Sequence, residues 1–368
     1  MKKHKKTRNT LSILLILFLT LFMPFSFVGK KPNTTYAHVL KDNITNLDAK
    51  VVDIKMLGAH DAFTEGIKMN SKPNTIEGGI VTNKFVNLFA KGLVVRMSKT
   101  QNVSARQMLL AGVRYFDVRA TKIDDKYYAT HGYIGKEIIE YVKEIVDFLG
   151  SNDGEFIIFD LQHFYTSDGK NEDVASSEYQ NFLDYMNEYK NDKGKSILDY
   201  VHYNANTTSL KDLTYQDVIG NDAGIIILAK CKNNQYFYFR DKDADMNEDR
   251  SYYSIRSYWH EENSTNKILS SMQKEYEFIN SHDFASVLRV NQAQKTGFLM
   301  NLKIVRSLFS WSLIDMANSF NAKMVQDKDK FMTYLDAMPI YMADYCTSNK
   351  GNFNKLANEY IGLSNKSL

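Results

Sequence analysis

The sequence contains few of the residues that build disulfide scaffolds or stiff linkers. Only two cysteines, Cys231 and Cys346, occur in 368 residues, too few for a disulfide framework in a chain of this length. These two thiols either pair or remain free, because a sequence does not place them relative to one another. Four prolines leave little material for rigid linkers, and neither an internal repeat nor a low-complexity tract is present. With 44% hydrophobic and 24% charged residues, the composition is that of a globular protein.

Acidic residues are missing from the first 37 positions, which carry seven basic residues: Lys2, Lys3, Lys5, Lys6, Arg8, Lys30 and Lys31. The whole chain has a formal net charge of +3, but without this segment 39 basic and 43 acidic side chains remain, a net charge of −4. The rest of the chain is therefore acidic, and its charge gives no basis for a nucleic-acid partner.

The same segment has the pattern of an export signal. A basic start precedes an apolar run at residues 11–22, and the small residues Thr35 and Ala37 mark a cleavage site. We predict a signal peptide over residues 1–37, cleaved after Ala37, and a secreted protein. The alternative is an uncleaved membrane anchor, because residues 11–28 approach the ~20 apolar residues that span a bilayer. No later stretch is apolar enough to span one.

Predicted strands and helices alternate along the remaining chain. Strands are predicted at residues 51–57, 113–119, 126–130, 155–161, 223–229, 286–290 and 340–344, and helices at 101–111, 134–149, 176–189, 264–280, 304–322 and 353–363. This order indicates a parallel sheet, either a closed barrel or a doubly wound sheet. Because no Gly-rich phosphate loop follows the first strand, a single (β/α) barrel with its chemistry at the carboxyl ends of the strands is favoured.

Polar residues lie in or directly after three of these strands. His60 and Asp61 follow the first, Asp117 and Arg119 end the second, and His131 follows the third. In a barrel, these strand ends converge on one mouth. Asp117 and Arg119 are two residues apart and share one face of a strand. They form either a structural ion pair or a guanidinium held ready for a phosphate. A lone histidine at a strand end is more often structural than catalytic, so function depends on the combination.

Three segments carry that combination in order: GAHDAFTEGI, AGVRYFDVRATKIDDKYYATHG and EFIIFDLQHF. Together they resemble the catalytic X region of phosphatidylinositol-specific phospholipase C, particularly the secreted bacterial enzymes. That family has a Gly-Thr/Ser-His-Asp motif, an aromatic-Asp-Ile/Val-Arg strand and a later His-Gly. The resemblance covers about residues 50–350, including Asn291 and Asp344. It implies one irregular (β/α)8 TIM-type barrel of parallel strands over residues 38–368.

The resemblance also implies a lipid phosphodiesterase. Phosphatidylinositol would be cleaved to diacylglycerol and inositol 1,2-cyclic phosphate, because the 2-hydroxyl of inositol attacks its own phosphate. Weakly acidic hydroxyls and alkoxide leaving groups require a base and an acid, and the phosphorane requires a fixed cation. The resemblance assigns six residues to these roles: His60 the base, His131 the acid, Asp344 orienting His60, Asp61 near the leaving oxygen, and Arg119, flanked by Asp117, on the phosphate.

Arg119 also bears on metal use. Eukaryotic relatives hold calcium at this part of the site, whereas metal-independent bacterial relatives place an arginine there. A guanidinium is always charged and would repel calcium. The resemblance therefore implies no required metal and no cofactor.

The head group is less well defined by the sequence. Bacterial relatives place an inositol-contacting lysine after the strand at residues 155–161, but this chain has Gln162 and His163 there. Lys230 is the best match to a further basic position beside the substrate. The alternatives are therefore the same fold acting on glycosylphosphatidylinositol anchors or another phosphodiester, or a catalytically degenerate surface-binding barrel. The expected partner is a membrane phospholipid contacted peripherally, with a monomeric protein and no nucleic acid.

Overall fold

The structure is a computed structural model that describes residues 35–248, 254–296 and 313–368. Most of the predicted export segment, residues 1–34, lies outside the described residues, as does the beginning of the helix predicted from residue 304. Among the described helices, none is long and apolar enough to cross a membrane.

In the part of the chain that the structure describes, ten strands form one sheet: β1 (Met56–Ala59), β2 (Val113–Ile123), β3 (Lys126–His131), β4 (Tyr133–Glu137), β5 (Phe156–Tyr165), β6 (Gly224–Ala229), β7 (Phe237–Phe239), β8 (Ile255–Tyr258), β9 (Leu288–Gln292) and β10 (Ile340–Ala343). Eight of them are parallel neighbours in the order β7-β6-β5-β2-β1-β10-β9-β8, and β3 and β4 extend β2 as an antiparallel ribbon. The sheet curls as in a TIM-type barrel, which confirms the predicted fold class.

The two outer strands of this order, β7 and β8, approach each other through the segment after β7. Ala244 forms a parallel bridge with Tyr258. The Asp241 carboxylate accepts hydrogen bonds from the backbone N–H groups of Ser254 at 2.9 Å and Ile255 at 3.2 Å. One β-bridge and these side-chain hydrogen bonds therefore connect the β7 and β8 edges of the sheet in place of continuous strand pairing.

Within residues 35–248, 254–296 and 313–368, ten helices pack around the sheet: α1 (Lys84–Phe89), α2 (Lys91–Met97), α3 (Ala105–Leu110), α4 (Ile138–Leu149), α5 (Ser176–Met186), α6 (Tyr215–Ile219), α7 (Thr265–Asn280), α8 (Leu313–Gln326), α9 (Lys328–Ala337) and α10 (Phe353–Asn365). The central parallel strands are covered on both faces, so β6 is buried along its whole length. This explains why its sequence reads as an uninterrupted apolar run.

Two predicted elements differ from the structure. The strand predicted at 51–57 is a 3-10 helix (Val51–Asp53) followed by β1, because the apolar residues of the first half pack under the barrel rather than in the sheet. The helix predicted at 134–149 begins only at residue 138. Its first residues form β4, which pairs with β3 across a turn at Gly132, where φ is +70°. Hydrophobic periodicity does not register such a short antiparallel return.

The first described residues are built into the base of the barrel. Arg114 and Glu155 are fully buried and form an ion pair at 2.7 Å. Arg114 Nη2 donates to the carbonyls of Tyr36 at 3.2 Å and Ala37 at 2.9 Å, while Glu155 accepts from the N–H of Leu40 at 3.1 Å. Cleavage after Ala37 stays a prediction, and it would remove both carbonyls from a buried guanidinium.

Candidate active site

Strand register brings distant residues together at the mouth. Ala59 at the end of β1 pairs with Ala343 at the end of β10, so the next residues, His60 and Asp344, are neighbours. On the other side of β1, strand β2 pairs with β5 so that Arg119 lies opposite His163. The carboxyl ends of β1, β2, β5 and β10 therefore converge, as expected for a barrel.

A tight turn presents the first histidine and its neighbouring carboxylate. Asp61 has φ +39°, in the left-handed region, which is unusual for a residue with a side chain. Its carbonyl accepts from Thr100 Oγ1 at 2.7 Å, and the hydroxyls of Thr100 and Thr64 bond to each other at 2.7 Å. The carbonyl of His60 accepts from Gln101 Nε2 at 3.0 Å. Side chains from a distant segment thus hold this strained turn in place.

Carboxylates surround His60. Its Nδ1 lies 2.7 Å from Asp344 Oδ1, and its Nε2 lies 3.3 Å from Asp61 Oδ2 and 4.0 Å from Asp117 Oδ2. Burial lowers the pKa of His60, but the charges of Asp61 and Asp344 and the hydrogen bond that His60 donates to Asp344 outweigh it and raise the pKa to about 9. In its neutral form this imidazole is an unusually strong base.

Asp61 connects both imidazoles with the guanidinium. Its Oδ2 lies 3.3 Å from His60 Nε2 and 3.3 Å from His131 Nε2, and its Oδ1 forms an ion pair with Arg119 Nε. Burial raises the pKa of Asp61, but Arg119, His131 and His60 together hold it below its usual range. Asp61 is therefore ionised and is the centre of the cluster.

The second histidine, His131, is held by the backbone. Its Nδ1 donates to the carbonyl of Ser98 at 3.0 Å, which leaves Nε2 facing Asp61. Since a carbonyl oxygen only accepts, Nδ1 carries the proton of this bond, and Nε2 is the nitrogen that faces Asp61.

Arg119 lies at the mouth, with 20% of its side chain exposed. Its Nε pairs with Asp61, and its Nη1 lies 4.0 Å from Glu77 Oε1. Glu77 also accepts from the N–H of Gly132 at 2.7 Å and from Thr130 Oγ1 at 3.0 Å, next to His131. Sequence reasoning missed Glu77 because its segment has no periodic pattern, and only the fold brings it to the site.

Asp117 is a fully buried member of the cluster. Its Oδ2 accepts from the backbone N–H of Asp61 at 3.2 Å. With the Gln162 amide oriented to satisfy both of its groups, Nε2 donates to Asp117 Oδ1 at 2.9 Å and the oxygen accepts from Arg240 Nη2 at 3.1 Å. Burial and the neighbouring charge of Asp61 raise the pKa of Asp117 to about 7. Gln162 thus contacts Asp117 as a buried side chain rather than lining an open pocket.

The other two predicted substrate-binding residues lie at the ends of β5 and β6. His163 stacks on Tyr165 with ring centroids 5.9 Å apart. Burial, together with the charges of Arg119 and Lys230, lowers the pKa of His163 to about 3, so its ring is neutral. Lys230 is mostly buried and lies 3.3 Å from Glu172. All nine predicted site residues therefore line or adjoin one mouth.

Three ligand-type atoms of this cluster, from His60, Asp61 and Asp117, lie within 4.8 Å of one another, the only such group found among residues 35–248, 254–296 and 313–368. Arg119 is paired with the Asp61 carboxylate of the same group. A dication placed here would meet the guanidinium charge at close range, so this donor set suits a cation supplied by the protein.

The chain was compared with known proteins. No family model matches it. It is 32% identical over 162 residues to a variant-surface-glycoprotein phospholipase C of Trypanosoma brucei brucei, covering 41% of this chain and 44% of that protein. It is 31% identical over 115 residues to the human PI-PLC X domain-containing protein 2, covering 30% and 38%. The chain thus matches less than half the length of these relatives.

Solved structures extend the likeness across the fold. A phosphatidylinositol-specific phospholipase C of Listeria monocytogenes superposes with a TM-score of 0.58 at 17% identity, covering 90% of this chain and 99% of that one. One from Staphylococcus aureus gives a TM-score of 0.57 at 15% identity, covering 88% and 98%. At such identities the likeness shows the fold. With the relatives above, it confirms the resemblance to this phospholipase C family.

Proposed function

We propose that the protein is a phosphatidylinositol-specific phospholipase C that releases diacylglycerol and inositol 1,2-cyclic phosphate. One observation carries the proposal: a single carboxylate, Asp61, binds the imidazoles of His60 and His131 and the guanidinium of Arg119 at the mouth of the barrel. A base, an acid and a phosphate-binding cation are the groups that this reaction needs. The names of the relatives and the fold of the structural neighbours agree with this chemistry.

In the proposed reaction, His60 Nε2 takes the proton of the inositol 2-hydroxyl as that oxygen attacks phosphorus. Asp344 holds Nδ1 of the same ring and stabilises the imidazolium that forms. Arg119 binds the phosphate oxygens as charge develops on them. His131 Nε2 gives its proton to the glycerol oxygen as the phosphorus–oxygen bond breaks. The cyclic phosphate and the neutral alcohol then leave without a covalent enzyme intermediate.

Contact with the lipid surface is part of the proposal. Helix α1 and the 3-10 turn before it (Gly79–Thr82) lie in the same connection between β1 and β2 as Glu77. Their exposed apolar side chains are Phe85 at 66%, Leu88 at 71% and Ile80 at 37%. Lys84 is exposed beside them. Large apolar side chains next to a cationic one, close to the mouth, fit an anionic bilayer surface.

Membrane contact is tested with a double variant, Phe85→Ser and Leu88→Ser. Because each side chain would bury apolar surface in the lipid, we expect binding to phosphatidylinositol-containing vesicles to weaken by about tenfold or more. Leu363→Ser, a change at a 46%-exposed leucine on α10, is the matched control and should bind as the wild type does. Equal loss in both variants would contradict this surface.

The substrate is tested by incubating the protein with vesicles of phosphatidylinositol, phosphatidylcholine or sphingomyelin. We expect a cyclic inositol phosphate only from the first, and its absence in His60→Ala and His131→Ala, since each acid or base step is worth about 10²–10⁴ in rate. Near-wild-type turnover in either variant would overturn the assignment.

A second substrate is favoured by one feature of the pocket. His163 is neutral where bacterial relatives have a lysine, so the head-group site lacks that positive charge. A glycosylphosphatidylinositol adds a cationic amino sugar to the inositol, which such a site tolerates better. Faster cleavage of a glycosylphosphatidylinositol-anchored protein than of phosphatidylinositol would make the anchor the preferred substrate.

Export also belongs to this proposal, with the apolar run at residues 11–22 as its support. The protein would then meet its substrate on an outer membrane surface.

A further inference from the structure

Gln101 has an unusual set of hydrogen bonds close to the catalytic cluster. It lies between α2 and α3, far in sequence from both β1 and β10, and its side chain is fully buried. Its Nε2 donates to the carbonyl of His60 at 3.0 Å and to the carbonyl of Ala343 at 3.0 Å. Its Oε1 accepts from the backbone N–H of Cys346 at 3.2 Å and from Cys346 Sγ at 3.4 Å. The amide therefore uses its full hydrogen-bonding capacity.

These four bonds join two strand ends at the point where their ladder stops. The last regular pair is Ala59 with Ala343, and His60 adds one more bond, from its N–H to the Ala343 carbonyl at 3.2 Å. Beyond that, the backbones of the His60 turn and the Asp344 turn are connected through the Gln101 side chain. Asp344 is held separately, because its carbonyl accepts from Asn321 Nδ2 at 2.8 Å.

We propose that Gln101 is a positioning residue that fixes the backbone of His60 relative to Asp344 and so maintains the hydrogen bond between their side chains. This inference rests on the proposed function only for its kinetic consequence. The side-chain bond itself, 2.7 Å from His60 Nδ1 to Asp344 Oδ1, is a property of the free protein. A shift of either backbone changes its length and direction, and with them the ring orientation and tautomer of His60.

The chemistry of the side chain explains why a glutamine is needed here. Two carbonyls each need a donor, and one N–H and one thiol each need an acceptor. A side-chain amide meets all four needs, because its NH2 group has two donors and its oxygen has two lone pairs. The substitution Gln101→Glu would present a carboxylate oxygen to the two carbonyls in place of the donors. It would therefore repel both carbonyls while keeping the shape of the side chain. Gln101→Asn keeps the amide but shortens its reach by one methylene.

A purely structural role for Gln101 is the competing explanation, and the chain offers a matched control. Asn365 is equally buried and its amide also bridges a backbone, accepting from the N–H of Lys55 at 2.8 Å and donating to the carbonyl of the same residue at 2.9 Å. Lys55 precedes β1, so this bridge lies at the opposite end of the barrel from the mouth. Asn365→Leu should therefore lower stability without affecting His60.

The test compares wild type, Gln101→Glu, Gln101→Asn and Asn365→Leu by proton NMR. The His60 Nδ1–H that bonds to Asp344 should give a strongly downfield resonance, identified by its absence in Asp344→Asn. We expect this resonance to be lost or moved upfield in both Gln101 variants and unchanged in Asn365→Leu. No substrate is needed, so this readout stands even if the proposed reaction is wrong.

Kinetics on a soluble phosphodiester of inositol supply the second readout. In folded Gln101→Asn, we expect kcat to fall about tenfold, a smaller loss than the ~10²–10⁴ that removing a general acid or base costs, with KM changed less than about twofold. An unchanged downfield resonance in either Gln101 variant, or the same change in Asn365→Leu, would overturn the proposal.

Discussion

The hydrogen bond between Asp344 and His60 has a consequence that is measurable in the free protein. The change Asp344→Asn keeps the size of the side chain but removes the negative charge 2.7 Å from His60 Nδ1. An opposite charge at such a distance usually shifts a pKa by about 1–3 units. We therefore expect the pKa of His60 to fall in the variant from about 9 toward its ordinary value near 6.5.

The same shift can be expressed as stability. Raising the pKa of His60 from 6.5 to about 9 corresponds to about 3.4 kcal/mol at 1.36 kcal/mol per pKa unit, provided by several carboxylates. Because the folded value lies above the unfolded value, this stabilisation is fully present below about pH 6.5 and is lost as the pH rises through about 9. Removing Asp344 takes away its share, about 1.4–2.7 kcal/mol for one to two pKa units.

Two assays check this expectation. Imidazole NMR titration gives the pKa of His60 directly, and urea unfolding at a series of pH values gives the free energy of unfolding. We expect the wild type to lose more stability than Asp344→Asn between pH 6.5 and 9, while shared contributions, such as that of Asp117, largely cancel. Parallel stability curves together with an unchanged His60 pKa would refute the electrostatic reasoning. On a soluble substrate, the acid limb of kcat/KM should also move to lower pH in the variant.

Three further predictions follow from the site and from the base of the barrel. Arg119→Lys should lower kcat by about 10²–10³, because a lysine does not reproduce the fork that binds phosphate oxygens; near-normal kcat would contradict that role. Activity should be unchanged in chelator, since the Arg119 guanidinium already pairs with Asp61, and loss that calcium restores would show a metal requirement. Cleavage after Ala37 predicts an exported chain that begins at His38 and lacks both carbonyls that accept from buried Arg114; N-terminal sequencing that finds Tyr36 and Ala37 retained would refute this cleavage site.

Much of the fold was predictable because its signals are local. The run at residues 223–229 predicts a buried strand on composition alone, and β6 occupies that position. The region at 51–57 was predicted wrongly as one strand, because alternating apolar residues also suit a short 3-10 turn that packs beneath the sheet. Strands β7 and β8 are three and four residues long, too short for a periodic signal.

The residues of the candidate site were predictable for a different reason. His60, Asp117, Arg119 and His131 sit in compact motifs whose spacing is visible in the sequence. The side chains of Glu77 and Gln101 form hydrogen bonds with backbone groups of residues far along the chain. In the sequence, both look like any other polar residue of a loop. No local pattern could have distinguished either one.

By itself, the sequence determined the class of fold, the basic and apolar character of the first 37 residues and the residue types of the candidate site, because periodicity, charge and motif spacing are properties of neighbouring residues. Only the tertiary structure decided which groups touch. It placed Asp61 between His60, His131 and Arg119, and it raised the pKa of His60 to about 9. Distances and burial set those interactions, and both depend on strand register and closure of the sheet rather than on any single segment.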